Sequence, residues 1–254
     1  MTWDPTQYLK FAGERLQPAI DLLQRVPLAS PASVVDMGCG AGNLTPLFLA
    51  RWPDAKITGV DSSPEMLAKA RAQYPQASYV EASFAEWRPA EPVDLLYSNA
   101  ALHWLGSHET LFPSLLKTVK PGGYMAVQMP RNFAAPSHTN ILAAAEAGPW
   151  APKLLPLLRR NPVSEPGFYW RLLHDKVAEL HIWETEYTQV LTGENPVAEF
   201  TKGSALKPLL DALAGEERAA FEADYRARIA KAYPKEANGS TLFPFRRLFI
   251  LARA

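Results

Sequence analysis

The stretch VVDMGCGAGNLT, residues 34–45, constrains this chain more than any other part of it. Small apolar residues run into Asp36, and glycines follow at positions 38, 40 and 42. A buried strand that ends in a glycine-rich turn and passes into a helix is the opening half of a strand–helix–strand unit. KITGV, residues 56–60, supplies the second strand and runs into Asp61. Parallel strands need right-handed crossovers, and the crossover helices then cover both faces of the sheet.

The rest of the chain extends the pattern. Strands are predicted at 33–37, 56–60, 77–81, 93–99 and 124–129, with helices at 44–51, 62–74 and 107–119 between them. Trp52-Pro53-Asp54 stops the first of these helices, Pro64 opens the second, and Ser107 is the expected N-cap of the third. Lys120-Pro121-Gly122-Gly123 reads as a turn. Ahead of the sheet, Asp4-Pro5 looks like a helix start, and Tyr8, Phe11, Leu16, Ile20 and Leu23 follow helical spacing. Residues 130–178 carry prolines at 136, 149, 152, 156, 162 and 166 and read as short helices and loops. Strands at 180–191 and 242–252 flank a helical stretch at 195–233.

The expected architecture is α/β, a doubly wound, mostly parallel seven-stranded sheet in a single domain spanning 1–254. Residues 1–129 form the ligand-binding core with an N-terminal lid helix. Residues 130–178 and 195–233 are helical insertions that cap the carboxyl edge.

Composition excludes several classes. Lys+Arg and Asp+Glu both number 26, so a binder that works by neutralising nucleic-acid phosphates is not expected. No apolar run approaches the ~20 residues that span a bilayer, and the N-terminus does not read as a signal peptide. The one cysteine, Cys39, forbids an intrachain disulfide and suits a reducing, cytoplasmic setting. It sits in the glycine loop, where small size accounts for it better than thiol chemistry. The five histidines include no metal-binding pair at helical spacing, and no nucleophile elbow is present.

The loop D-x-G-x-G-x-G fits no phosphate binder. A phosphate loop needs a lysine that is missing, and the dinucleotide fingerprint needs glycine where Asn43 stands. S-adenosylmethionine fits better. Glycine backbone can approach its aminoacyl part, Asp36 can support the loop near its amino group, and Asp61 can accept both ribose hydroxyls. With ITGVDSSPEML, YVEASFAEW, DLLYSNAALHWL and LKPGGYMAVQM in this order, residues 34–129 resemble the class I, Rossmann-like methyltransferases. The resemblance implies cofactor contacts from Gly38, Gly40, Asp61, Ser62 and Met66, with Asn99 and Ala100 facing the reacting methyl. The acid that usually reads the adenine amino group is replaced by Ser83, leaving that hydroxyl and the Phe84 backbone N–H for the task. Tyr8 and Arg15 share a face of the first helix and either close over the cofactor or merely pack there.

WDPTQYLKFAGERLQPAIDLL, SNAALHW and RLFILA narrow the resemblance to the branch of that family that esterifies trans-aconitate. A tricarboxylate calls for cations and donors. The substrate candidates are Trp104, Arg131, His138, Tyr169, Lys202 and Arg247. His138 has a rival role as a helix cap, and one of Arg246 and Arg247 faces solvent if the strand alternates. An ionised carboxylate is already a nucleophile, so no catalytic residue is expected, and His103 is the nearest candidate if a base is used. Two alternatives stay open: a methyltransferase for another acceptor, such as a malonyl-carrier protein or a small molecule, and a non-catalytic cofactor-binding module.

Overall fold

The computed structural model describes residues 12–158 and 162–254. Seven strands lie in the order β3-β2-β1-β4-β5-β7-β6. They are β1 (Ser33–Met37), β2 (Lys56–Asp61), β3 (Ser78–Glu81), β4 (Val93–Asn99), β5 (Val119–Pro130), β6 (Glu179–Leu191) and β7 (Thr241–Arg253). β1 to β5 pair in parallel and β7 runs antiparallel to β5. This is the expected Rossmann-like class I methyltransferase architecture.

The chain divides into two compact units. A sheet unit comprises Gln17–Pro130, Val163–Glu184 and Arg247–Ala254. A helical unit comprises, among the described residues, Ala12–Leu16 with Arg131–Pro162 and Thr185–Arg246.

In the sheet unit, residues from Gln17 on of helix α1 (Ala12–Arg25) precede β1, and α2 (Thr45–Arg51) and α3 (Pro64–Gln73) follow β1 and β2. The buried Tyr97 hydroxyl donates to the Ala19 carbonyl at 2.5 Å, fastening α1 to one face of β4. At the opposite end of the strands from the glycine loop, Asp94 accepts from Ser33 and from the Lys120 ammonium, joining β1, β4 and β5.

Two local expectations change here. Residues 120–123 lie inside β5, not in a free turn. Gly122 N–H donates to the Ala254 carbonyl and Ala254 N–H to that of Gly123, while a Cβ on Gly123 would stand 2.7 Å from the Asp94 carbonyl oxygen. Strand pairing thus overrides the Pro-Gly-Gly turn signal. Helix α4 (His108–Leu116) starts where predicted, but Ser107 makes no side-chain cap. Its backbone is left-handed (φ 54°), and its carbonyl accepts from Thr110 and Leu111 instead.

The helical unit contains α5 (Pro136–Ala147), α6 (Ala151–Leu154), α8 (Pro196–Lys202), α9 (Lys207–Asp211) and α10 (Gly215–Ala232). Phe221, Tyr225 and Ile229 recur every four residues along α10, so one face is buried. They join Ile141, Ala144, Trp150, Phe200 and Phe243 in a core of their own. The Tyr225 hydroxyl donates to the Ser137 carbonyl and shares a bond with Thr201. α7 (Pro166–Leu173) falls outside this unit. Although it was expected within the 130–178 insertion, its Tyr169 packs on His108 and Phe112 of α4.

Candidate active site

Three chain segments meet at the carboxyl end of β1. After Met37 the backbone turns sharply, and the N–H groups of Gly38 and Cys39 both donate to the Val60 carbonyl at the end of β2. Gly38 has φ +80°, and a Cβ there would stand 2.2 Å from the Cβ of Ala101, so the turn after β4 lies directly on the loop. Gly40 differs, because a Cβ on it would meet nothing within 4 Å. Its N–H donates 2.9 Å to Oδ2 of Asp61, while Oδ1 of Asp61 accepts from Ser63 N–H at 2.9 Å. The Ser63 hydroxyl in turn caps α3 by accepting from Met66 N–H. A carboxylate has about four acceptor positions. Two remain on Asp61, the number a vicinal diol needs.

Asp36 lies on the same sheet face as Asp61, since its register partner on β2 is Gly59. It is 2 % exposed and neither oxygen has a hydrogen-bond partner among the described residues. Among the described residues the side chain makes no direct hydrogen bond to the loop. Burial, with a smaller contribution from the Asp61 charge, pushes its pKa up to about 7. A bare buried carboxyl of this kind fits a cationic group, which would satisfy and ionise it.

At the end of β4, Asn99 is half-buried with an unpartnered Oδ1. Ala100 follows in a left-handed conformation (φ 52°), and its N–H donates to the Gln128 carbonyl of β5. Residues 102–104 form a short 3-10 turn that holds His103 buried and Trp104 more exposed, their rings 4.7 Å apart. Gln128, paired with Asn99, is fully buried with both amide atoms unpartnered. Sequence reasoning passed it over because it sits in an apolar strand and belongs to no motif. The usable signal was a lone amide in AVQMP at the ligand edge of the sheet.

The remaining cofactor candidates are arranged around this edge. Ser62 is exposed between Asp61 and the α3 cap, and Met66 is buried in the first turn of α3. Ser83 is exposed in the loop after β3, where its carbonyl accepts from Glu86 and Trp87, and Phe84 is half-buried beside it. Tyr8 and the Arg15 side chain lie outside the described residues.

The substrate candidates divide between the units. In the sheet unit, Arg247 is 5 % exposed and pairs with Pro130 in register, on the face that carries Gln128 and Asn99. Its neighbour Arg246, in the helical unit, points outward and meets Glu186 at 3.6 Å. Tyr169 is fully buried, and its hydroxyl bonds His108 Nδ1 at 2.7 Å and accepts from Ser164 N–H, so it is part of the core.

In the helical unit, Arg131 lines a cleft of about 330 Å3 with Asn132, Glu186, Tyr233 and Arg246. The Lys202 ammonium is paired with Glu222 at 2.5 Å. His138 lies in the first turn of α5, bonded through Nδ1 to the Ser137 hydroxyl and edge-on to Phe133. Burial pushes its pKa down to about 4, so it is a neutral donor or acceptor rather than a cation. Among the described residues, no group of three or more His, Cys, Asp or Glu could hold a metal ion, and no helix is long and apolar enough to cross a membrane.

Comparison with known proteins agrees with this geometry. Residues 34–123 match the family model described as a methyltransferase domain. The chain is 47 % identical over 251 residues to a trans-aconitate 2-methyltransferase of Azoarcus sp. (strain BH72), covering 99 % of this chain and 98 % of that one. It is 46 % identical over 252 residues to the protein of the same name from Methylobacterium nodulans, with the same coverage. Among solved structures, a Haemonchus contortus phosphoethanolamine N-methyltransferase 2 in complex with S-adenosyl-L-methionine aligns with a TM-score of 0.60 at 14 % identity, over 98 % of this chain and 56 % of that one. A putative methyltransferase from Bacillus halodurans aligns with a TM-score of 0.59 at 14 % identity, over 93 % and 98 %. At such identities the structures speak for the fold, whereas the full-length relatives decide the family: the chain belongs to the trans-aconitate 2-methyltransferase family.

Proposed function

We propose that the protein transfers a methyl group from S-adenosylmethionine to one carboxylate of trans-aconitate, giving a monomethyl ester. The observation that carries the reading is Asp36 beside the glycine loop, a buried carboxyl with no hydrogen-bond partner among the described residues. The residues present fit this cofactor. Asp36 would meet its ammonium group, the free positions of Asp61 its ribose diol, and the open side of Gly40 its aminoacyl backbone. Ser62, Met66, Ser83 and Phe84 would face the nucleoside, and Ala100 would flank the sulfonium.

When bound, the cofactor supplies a methyl group on a positively charged sulfur: the carboxylate oxygen forms the new bond to carbon, the carbon–sulfur bond breaks, and its electron pair stays with sulfur. No proton moves, so the protein needs no base, and His103 serves to shape the turn after β4. The contribution of the chain is position. The Gly38–Ala101 contact and the Ala100–Gln128 backbone bond fix the end of β4 against the loop and against β5. Holding two reactants in line can contribute about 7–11 kcal/mol to lowering a barrier. Arg247 and Trp104, both in the sheet unit, are the side chains assigned to the substrate, the guanidinium answering a non-reacting carboxylate. The single, buried Cys39 suits a reducing, cytoplasmic setting.

The test is steady-state kinetics with trans-aconitate, cis-aconitate, citrate and isocitrate as alternative acceptors. The highest kcat/KM on trans-aconitate supports the reading. Higher kcat/KM on another acid overturns the substrate and leaves the reaction.

A further inference from the structure

One buried group has no part in the chemistry described above. The side chain of Gln128 is fully buried, and neither Oε1 nor Nε2 has a hydrogen-bond partner among the described residues. Its two register neighbours do not serve it. Asn99 on β4 has an unpartnered oxygen of its own, and Phe249 on β7 is stacked on Trp183 with rings 4.9 Å apart. Burying a carboxamide without bonds forfeits the hydration of both ends and returns nothing. Leucine at this position would avoid the loss. A ligand group that arrives on this face gives the amide what the protein withholds.

The place of Gln128 narrows the choice of group. Its carbonyl accepts from Ala100 N–H at 3.0 Å, so its backbone is tied to the turn assigned to the reacting methyl. Asp36 is separated from it on the same face by β4. Arg247 is one step further along the strand pair. A group held by Gln128 thus sits between the cofactor's end of the sheet and the guanidinium that answers a non-reacting carboxylate.

We propose that Gln128 binds the carboxylate that becomes methylated, its Nε2–H donating to the oxygen that does not attack. The inference rests on the esterification reading above. A neutral donor suits the task. An amide N–H orients the carboxylate and leaves its charge in place, whereas a guanidinium in the same position would pair with both oxygens and blunt the attack.

The test compares wild type with Gln128→Leu and Gln128→Glu, measuring kcat/KM for trans-aconitate and, by calorimetry, the dissociation constant for S-adenosylmethionine. Leucine removes two unpaired polar atoms, so that variant is expected to melt no lower than wild type. Its kcat/KM for the acid is expected to fall about 10- to 100-fold, with cofactor affinity within about two-fold of wild type. Gln128→Glu places a second carboxylate against the substrate. Its activity is expected to be lower still at pH 8 and to recover in part as the pH is lowered and the new carboxyl regains its proton, a dependence absent from Gln128→Leu. Unchanged kcat/KM in Gln128→Leu, or an equal loss of cofactor affinity, overturns the proposal and leaves the esterification standing. A wild-type protein that methylates no carboxylic acid overturns both.

Discussion

Replacing Asp61 by alanine removes more than a ribose contact, and the structure allows the effect to be divided. Oδ2 accepts from Gly40 N–H and Oδ1 from Ser63 N–H, both at 2.9 Å, so the carboxylate pins the glycine loop to the start of α3 before any ligand is present. A hydrogen bond to a charged group contributes about 1.5–3 kcal/mol. Loss of one such bond to the ribose therefore weakens cofactor binding about 10- to 150-fold, and loss of both weakens it further. The two backbone donors are only part-buried and water can reach them, so the accompanying loss of stability should be about 1–3 kcal/mol. Asp61→Asn keeps one oxygen and retains one backbone bond, placing it between wild type and Asp61→Ala. Titration calorimetry with S-adenosylmethionine measures the first quantity and urea denaturation the second. Unaltered cofactor affinity in a folded Asp61→Ala protein would falsify the ribose assignment.

Three further outcomes are expected. The Asp36 carboxyl, at about 7 in the folded protein against an ordinary 3.8, makes the folded state the better proton binder between these values. Its contribution to stability is therefore complete below about pH 3.8 and is lost as the pH rises through about 7, with a size of roughly 4 kcal/mol. Asp36→Asn should flatten that decline in urea denaturation measured from pH 4 to 8, and an identical slope in both proteins would contradict the burial argument. Tyr169→Phe should lower stability by about 1–2 kcal/mol through loss of the His108 and Ser164 bonds and leave the KM for trans-aconitate unchanged; a raised KM with normal stability would return Tyr169 to the substrate site. His103→Ala should keep substantial turnover, whereas abolished turnover in a folded variant would mean that a base is required.

The parts that could be read in advance are those where chemistry and chain geometry coincide. β1, the glycine loop and Asp61 form a local pattern, and the Gly38–Ala101 approach explains why one of those glycines cannot carry a side chain. The surroundings of Tyr169 and Lys202 could not be read in advance because each is bonded to a distant partner, His108 and Glu222, that no spacing reveals. His138 was open to serving as a cation or a donor, and its burial, which decides between them in favour of the neutral form, is invisible in the spacing. Gln128 was missed for the opposite reason: its significance lies in the partners it lacks, and only a three-dimensional count of hydrogen bonds shows that. The Pro-Gly-Gly signal at 121–123 marked a real irregularity, but pairing with the end of β7 drew it into the strand.

The central claim is that a carboxylate is the methyl acceptor. It is tested most directly by incubating the purified protein with methyl-labelled S-adenosylmethionine and trans-aconitate, then treating the product with mild alkali. The account predicts label on the acid that is released as methanol. Label that survives alkali, or none at all despite cofactor binding, would contradict it.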